Sequence, residues 1–107
     1  MDVLLKTLQG QTDDMLALLR QLVETESPST DKAAVNRLGK LVVGVARRQG
    51  ARVRVYPSKT TGNHLRAEFR FDARPARGQI LLLGHLDTVW GVGNLERMPF
   101  RIRGGRA

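Results

Sequence analysis

The sequence predicts a layered α/β or α+β fold, with helices packed on a sheet, rather than a helix bundle or a barrel. Apolar residues recur at helical spacing up to about residue 49, and then alternate with polar residues in two short stretches, as strands do. A fully apolar stretch follows at 80–83, which is typical of a central strand covered on both faces. The length of 107 residues suffices for one small domain.

Two helical regions are predicted, at about 2–24 and 30–49. The first carries an apolar stripe at a spacing of three and four residues, formed by Met15, Leu18, Leu19, Leu22 and Val23. Thr12 is a candidate cap for this stripe, and Gly10 is a candidate joint within the region. The residue before Pro28 avoids helical dihedrals, so we expect the first helix to end before it.

The second helical region has a buried stripe of its own, formed by Val35, Leu38, Leu41, Val42 and Val45. Ser29 and Thr30 are its candidate caps. Arg47 and Arg48 lie in the predicted last turn, where cations are favoured by the helix dipole. Gly50 then suits the left-handed conformation that commonly ends a helix.

Four strands are predicted, at about 51–56, 64–71, 79–84 and 100–103. The first two alternate apolar and polar residues, so each has one solvated face. The last leads into Gly104-Gly105, which is typical of a two-residue hairpin turn. A hairpin cut after its turn leaves an unpaired edge, so we expect these residues to be the front part of a longer protein.

The composition excludes several classes of site and location. The chain has no cysteine, which excludes disulfides, thiolate zinc sites and cysteine nucleophiles, so any metal is held by nitrogen and oxygen. No apolar run approaches the roughly 18–20 residues of a membrane span, and no secretion signal is recognisable. We expect a cytoplasmic protein without a membrane partner, although the sequence leaves export open.

The net charge of +8 raises the alternative of a small basic module that binds nucleic acid. Its candidate contacts are the arginines around the first two strands, namely Arg47, Arg48, Arg52, Arg54, Arg66 and Arg70. The arginines are spread singly over every segment, and three Phe, one Tyr and one Trp give bases few rings to stack on. We therefore favour solvated faces and expect no nucleic-acid partner.

The candidate metal-binding or catalytic motif is Gly84-His85-Leu86-Asp87-Thr88, directly after the apolar stretch. In open α/β sheets, ligands bind beyond the carboxyl ends of the strands. One imidazole nitrogen of His85 can then bind a metal while the Asp87 carboxylate accepts the other ring N–H. Spacing alone leaves open a simple hydrogen bond between the two side chains in a loop. His64 lies on the polar side of its strand and has a weaker claim to any role.

The chain resembles the dizinc peptidase family of glutamate carboxypeptidases, aminoacylases and succinyl-diaminopimelate desuccinylases. The resemblance is carried by Ile80-Leu81-Leu82-Leu83-Gly84-His85-Leu86-Asp87-Thr88-Val89-Trp90, Gly93, Pro99-Phe100 and Gly104-Gly105-Arg106-Ala107. The glutamate carboxypeptidase branch is the most similar, and the helix break at Glu26-Ser27-Pro28 fits the family in order and spacing. The resemblance covers essentially the whole chain, but only the front of a family member.

The resemblance implies the N-terminal portion of a three-layer α/β/α zinc-peptidase catalytic domain, truncated before its sheet is complete. The rest of that domain and a dimerisation domain would be absent. His85 would be a zinc ligand in a site for two zinc ions, and Asp87 the carboxylate that orients it. Trp90, just after the motif, is a candidate residue of the substrate cleft.

The implied activity is that of a zinc-dependent metallo-carboxypeptidase, which uses metal-activated water to hydrolyse a C-terminal peptide or amide bond, with glutamate as one candidate residue. An aminoacylase or desuccinylase acting on an N-acyl amino acid is the alternative within the family. Full-length members are often homodimers. A catalytic zinc takes about three protein ligands, and these 107 residues offer one placed histidine, so we expect the isolated chain to be inactive.

Overall fold

Residues 2–72 and 77–107 are described by a computed structural model, in which they form a small α/β structure. The elements are α1 (Asp2–Gly10), α2 (Thr12–Glu24), α3 (Lys32–Arg48), β1 (Arg52–Tyr56), β2 (His64–Glu68) and a short 3₁₀ helix (Asn94–Glu96). The predicted α/β class is confirmed in this coarse form. In the described part of the chain, no helix is long and apolar enough to cross a membrane.

The N-terminal helical region consists of two helices instead of one. Helix α1 ends at Gly10, the predicted joint, and Gln11 occupies the cap position of α2. The Thr12 hydroxyl, predicted as a cap, instead donates a hydrogen bond of 2.8 Å to the carbonyl oxygen of Gln9. Thr12 therefore satisfies the end of α1 rather than the start of α2.

The start of α3 also differs from the prediction. Asp31 is the cap, and its carboxylate accepts a 2.9 Å hydrogen bond from the Ala34 amide. The hydroxyl of Ser29, a predicted cap, donates instead to the carbonyl oxygen of Thr88. The end of the helix follows the prediction, with Gly50 in a left-handed conformation at φ +89°.

The core lies between α3 and the two-stranded antiparallel sheet. Val53 pairs with Ala67, and Val55 with Leu65, so these four residues share the face opposite to the arginines. The buried apolar side chains are Ala34, Val35, Leu38 and Ala51. Since three of these four lie on one face of α3, that helix supplies most of the buried surface.

The structure forms neither of the last two predicted strands, at 79–84 and 100–103, and β2 ends at Glu68 instead of residue 71. Within the described residues, β1 and β2 pair only with each other, so no neighbouring strand offers hydrogen bonds to residues 79–84. The side chains of residues 80–83 are between 80% and 91% exposed. The prediction of a covered central strand is therefore wrong for the described residues, because no neighbouring strand or helix buries this stretch.

The predicted turn at Gly104-Gly105 is present. Both glycines have positive φ, +57° and +75°, as a type I′ hairpin turn requires. Arg103 and Arg106 exchange two backbone hydrogen bonds, of 2.8 and 3.1 Å, across the turn. A single antiparallel bridge thus replaces the predicted strand.

Candidate functional site

The two residues of the predicted metal motif contact each other. The His85 Nδ1 atom lies 2.9 Å from the Asp87 carbonyl oxygen and 3.3 Å from the Asp87 Oδ1 atom. Both oxygens are hydrogen-bond acceptors, so we assign the proton of the neutral ring to Nδ1. The Nε2 atom then carries the lone pair, on a side chain that is 83% exposed.

The Asp87 carboxyl group is held in its charged form. The Ser29 hydroxyl, the Asp87 backbone amide and the His85 ring lower the pKa of Asp87 below its usual value of 3.8. The Ser29 hydroxyl also reaches the Thr88 carbonyl oxygen at 3.1 Å. Because a hydroxyl has one proton, it serves these two acceptors in turn.

We expect Ser29→Ala to raise the pKa of Asp87 toward 3.8, because the largest contribution to the lowered value is removed. Because the pKa of Asp87 is lower in the folded chain than its ordinary value, the ionised carboxylate stabilises the folded chain. This stabilisation is complete at pH values above the ordinary pKa and is lost as the pH falls through the lowered pKa of the folded chain. The carbon-13 shift of the Asp87 carboxyl group, followed by NMR against pH, measures the change. Ser58→Ala is the matched control, and an unchanged Asp87 titration in Ser29→Ala would contradict the assignment.

A segment far away in sequence, residues 26–29, holds the motif in place and is called here the anchoring segment. The Thr88 amide donates to the Ser27 carbonyl oxygen at 2.8 Å, and the Ser29 amide donates to the Thr88 carbonyl oxygen at 2.9 Å. Pro28 and Thr88 form a parallel bridge between them. The Ser27 hydroxyl donates to the Leu86 carbonyl oxygen at 2.9 Å.

Glu26 extends the anchoring segment to the turn that follows Trp90. Its carboxylate accepts hydrogen bonds from the Gly93 amide at 2.9 and 3.1 Å and from the Leu95 amide at 3.2 Å. Gly93 has a φ of +99°, a conformation that favours glycine. Charge-assisted hydrogen bonds of this kind are stronger than neutral ones, so Glu26 fixes the course of the chain after the motif.

An apolar groove of about 410 Å³ adjoins the motif. Its lining comes from α2, α3 and residues 85–98, and includes Leu22, Val23, Leu38, Val42, Leu86, Leu95 and Met98. His85 and Trp90 both line this groove, and Trp90 is 55% exposed. The structure thus brings the candidate cleft residue and the candidate metal ligand to one groove.

The His85–Asp87 pair has the arrangement of one histidine ligand of a zinc centre with its hydrogen-bond acceptor. An imidazole with Nδ1–H held by a carboxylate and a carbonyl presents Nε2 in the form that binds a metal. Within residues 2–72 and 77–107, no cluster of three or more His, Cys, Asp or Glu side chains is placed to hold a metal ion. Among the described residues, His85 is thus a single candidate ligand, with Asp87 as its hydrogen-bond acceptor.

Of the arginines considered for nucleic-acid binding, Arg52, Arg54 and Arg66 lie on the polar face of the sheet, whereas Arg47 and Arg48 end α3. Arg54 and Arg66 are paired across the strands, and both guanidinium groups lie over the Tyr56 ring, at 5.5 and 5.8 Å from its centre. Arg70 forms an ion pair with Glu68 at 3.1 Å. His64 is paired with Tyr56 on the same face. These contacts are those of a solvated sheet face.

The residues that sequence reasoning missed are those of the anchoring segment. Ser27 and Glu26 were predicted only to interrupt the helices, because their partners lie roughly sixty residues further along the chain. The local signal was a run of polar residues, Glu26-Ser27 and Ser29, around a proline where a loop was expected. Such a run indicates unsatisfied hydrogen-bonding groups but does not indicate their partners.

Comparisons of this chain with protein-family models, curated proteins and solved structures gave no match. A function for the chain is therefore proposed below from the geometry of His85 and Asp87 and from the sequence pattern around them.

Proposed function

We propose that this chain is the front part of the catalytic domain of a zinc-dependent metallo-carboxypeptidase, with a three-layer α/β/α architecture. His85 is a zinc ligand through Nε2, and Asp87 is the carboxylate that orients its ring. The enzyme hydrolyses a C-terminal peptide or amide bond, with glutamate as the candidate residue released. The resemblance of residues 80–107 to the glutamate carboxypeptidase branch supports this choice.

One observation carries the proposal. The Asp87 carbonyl and carboxylate oxygens both face His85 Nδ1, at 2.9 and 3.3 Å, which leaves Nε2 as the basic nitrogen of the ring. An acceptor on Nδ1 raises the basicity of the ligand and fixes the direction of the ring. Metal-binding histidines in proteins commonly have this arrangement.

Zinc, when bound, supplies an activated water and polarises the carbonyl group that is attacked. The chain's own contribution is to hold the ligand: Asp87 keeps the proton on Nδ1, and the anchoring segment keeps Asp87 in place. Trp90 lines the groove beside His85 and is the candidate contact for substrate. The further metal ligands and the general base belong, in this proposal, to other parts of the complete catalytic domain.

The exposed stretch at 80–83 supports the same proposal. Four consecutive large apolar side chains, each at least 80% exposed, lead directly into the motif. Such a stretch is typical of a central strand of an α/β sheet. In the complete domain, further strands pair with it and place His85 at the carboxyl edge of the sheet, where α/β folds bind their ligands.

An aminoacylase or a desuccinylase uses His85 and Asp87 in the same roles and is the alternative within the family. These enzymes differ from a carboxypeptidase in the acyl group and the amino acid that they recognise. No contact among the described residues discriminates between the two substrates, so the carboxypeptidase is preferred on the resemblance alone.

We expect zinc to bind the 107-residue chain weakly and at His85, since a catalytic centre has about three protein ligands and the chain provides one with its orienting partner. His85→Ala is expected to lower the zinc affinity by at least about tenfold, the lower end of the effect of removing even an orienting residue. Titration of zinc, followed by calorimetry and by the NMR signals of the histidine rings, measures this.

The matched control is His64→Ala, which removes the other histidine, on the sheet face, and is expected to leave zinc binding unchanged. Equal zinc affinity in the native chain and His85→Ala would overturn the proposal. So would zinc shifts on the His64 ring that exceed those on His85.

A further inference from the structure

Ser27 is the one buried polar residue among those described, with 2% of its surface exposed. Its hydroxyl donates to the Leu86 carbonyl oxygen at 2.9 Å, and its own carbonyl oxygen accepts from the Thr88 amide at 2.8 Å. The Leu86 carbonyl belongs to the peptide group before Asp87, and the Thr88 amide belongs to the peptide group after it. Ser27 therefore holds both peptide groups that flank Asp87.

The second of these peptide groups also contacts the ring. The Asp87 carbonyl oxygen, which accepts from His85 Nδ1 at 2.9 Å, belongs to the same peptide as the Thr88 amide that is bonded to Ser27. Fixing this peptide fixes where its oxygen meets the imidazole. With both flanking peptides held, the backbone dihedrals of Asp87 are restricted, and so is the direction in which its side chain leaves the backbone.

We propose that Ser27 is a positioning residue for the metal ligand: its two hydrogen bonds set the Asp87 oxygens that keep the proton on Nδ1 of His85 and leave Nε2 free for a metal. This inference rests on the proposed zinc function and adds to it a residue from a distant loop. We assign the role to Ser27 because its two hydrogen bonds reach the peptide groups on both sides of Asp87. The exposed Ser29 hydroxyl instead contacts the Asp87 carboxylate and the Thr88 carbonyl oxygen, and neither contact holds the peptide group before Asp87.

The consequence of losing the hydroxyl follows from its burial. In Ser27→Ala the Leu86 carbonyl loses its donor in a part-buried position. A buried acceptor without a donor is unfavourable, so the loop is expected to turn that carbonyl toward water. The Asp87 oxygens then leave Nδ1, and the ring is free to take the other tautomer.

The test is the tautomer of His85, measured in the full 107-residue chain by long-range proton–nitrogen NMR at about pH 8, where an ordinary histidine is neutral. His64, on the sheet face, is the internal reference. In the native chain we expect the Nδ1–H form to predominate at His85 relative to His64. In Ser27→Ala we expect the His85 tautomer ratio to move to that of His64. Ser58→Ala removes a serine hydroxyl that bonds to Thr61 in the loop between β1 and β2, and we expect it to leave the His85 tautomer ratio unchanged.

A second readout separates this inference from the proposed function. Zinc alone is titrated into the native chain and into Ser27→Ala, and we expect about tenfold weaker binding in the variant. If His85 keeps its native tautomer ratio in a folded Ser27→Ala chain, the positioning role is overturned, whatever zinc does. If the ratio changes but zinc does not bind the native chain at His85, the positioning role stands and the zinc function fails.

Folding of the variant is checked on the amide spectrum of α3. Should Ser27→Ala lose the folded spectrum, Ser27→Cys takes its place in the tautomer measurement, because its slightly larger thiol fills the buried position and keeps a weak donor there. An intermediate tautomer ratio in Ser27→Cys supports the positioning role. If the His85 tautomer ratio in Ser27→Cys equals that of the native chain, a much weaker donor at residue 27 has no effect on the ring. That result contradicts the proposed role of the Ser27 hydroxyl.

Discussion

Gly62→Ala is expected to lower the free energy of unfolding by about 3 kcal/mol, the upper end of the usual cost of overpacking. An added Cβ atom at Gly62 would lie 2.2 Å from Val35 Cγ1 and 2.7 Å from Val35 Cβ. Rotation of the Val35 side chain relieves the first contact but not the second, because the Cβ atom is fixed to the backbone of α3. The loop between β1 and β2 must therefore move away from the helix.

The reason for the glycine is a close approach and not a special backbone conformation, since its φ is not in the left-handed range. Urea unfolding followed by circular dichroism measures the effect. Gly10→Ala is the matched control, because a Cβ there meets nothing within 4 Å. Gly10 is the last residue of α1, where Ala is at least as favourable as Gly, so we expect no loss of stability. The double variant Gly62→Ala with Val35→Ala is expected to lose less than the sum of the single variants, as residues in contact do. An unfolding midpoint for Gly62→Ala equal to that of Gly10→Ala would show that the loop adjusts without cost.

The helices show what local pattern determines. The stripe of α3 and its end at Gly50 are local properties, set by side-chain spacing and by one residue that tolerates positive φ. The cap was less predictable, because three polar residues precede α3 and only Asp31 points its side chain at a helix amide. Ser29 was available for that role but is engaged with Thr88, a partner 59 residues away.

The sheet shows the limit of prediction from local sequence patterns. Alternation predicted β1 and β2, whose partners are each other and whose separation along the chain is short. The apolar residues 80–83 predicted a strand equally strongly, yet a strand exists only when another strand accepts its hydrogen bonds. A run of apolar residues indicates which side chains would be stabilised by burial. Which other residues bury them is determined by the tertiary structure of the whole fold.

The candidate site also contains some residues that local spacing predicts and others that it does not. His85 and Asp87 are two residues apart, so their contact was predictable from spacing, and the structure brings them together. Trp90 follows closely and lines the same groove as His85. Ser27 and Glu26 act through contacts of 59 and 67 residues in separation, which no local pattern contains. Residues that position a site are often harder to predict than residues that form it, because they contact it through backbone atoms.

The stretch at 80–83 is expected to cause self-association of the chain, and Leu82→Lys is expected to weaken that association by roughly tenfold to a hundredfold. Leu82 is 91% exposed, so its replacement costs the fold little. Burial of one leucine side chain contributes about 1.5–3 kcal/mol, and about 1.4 kcal/mol corresponds to a tenfold change in a dissociation constant. An unpaired apolar segment also offers free backbone groups to a second copy. Sedimentation equilibrium over a range of concentrations measures the change.

Leu4→Lys, in α1, is the matched control. Leu4 is 60% exposed, and it lies in the first turn of α1, where its carbonyl group is bonded within the helix and only its amide is free. It therefore offers a partner a similar side-chain surface without an extended row of free backbone groups. If association depends on the unpaired segment, Leu82→Lys weakens it and Leu4→Lys has a smaller effect. Equal effects of the two substitutions would mean that association depends on apolar area anywhere on the surface. A native chain that stays monomeric at all concentrations would mean that residues 80–83 fold back onto the chain in solution, and the path into His85 would then differ from the one described.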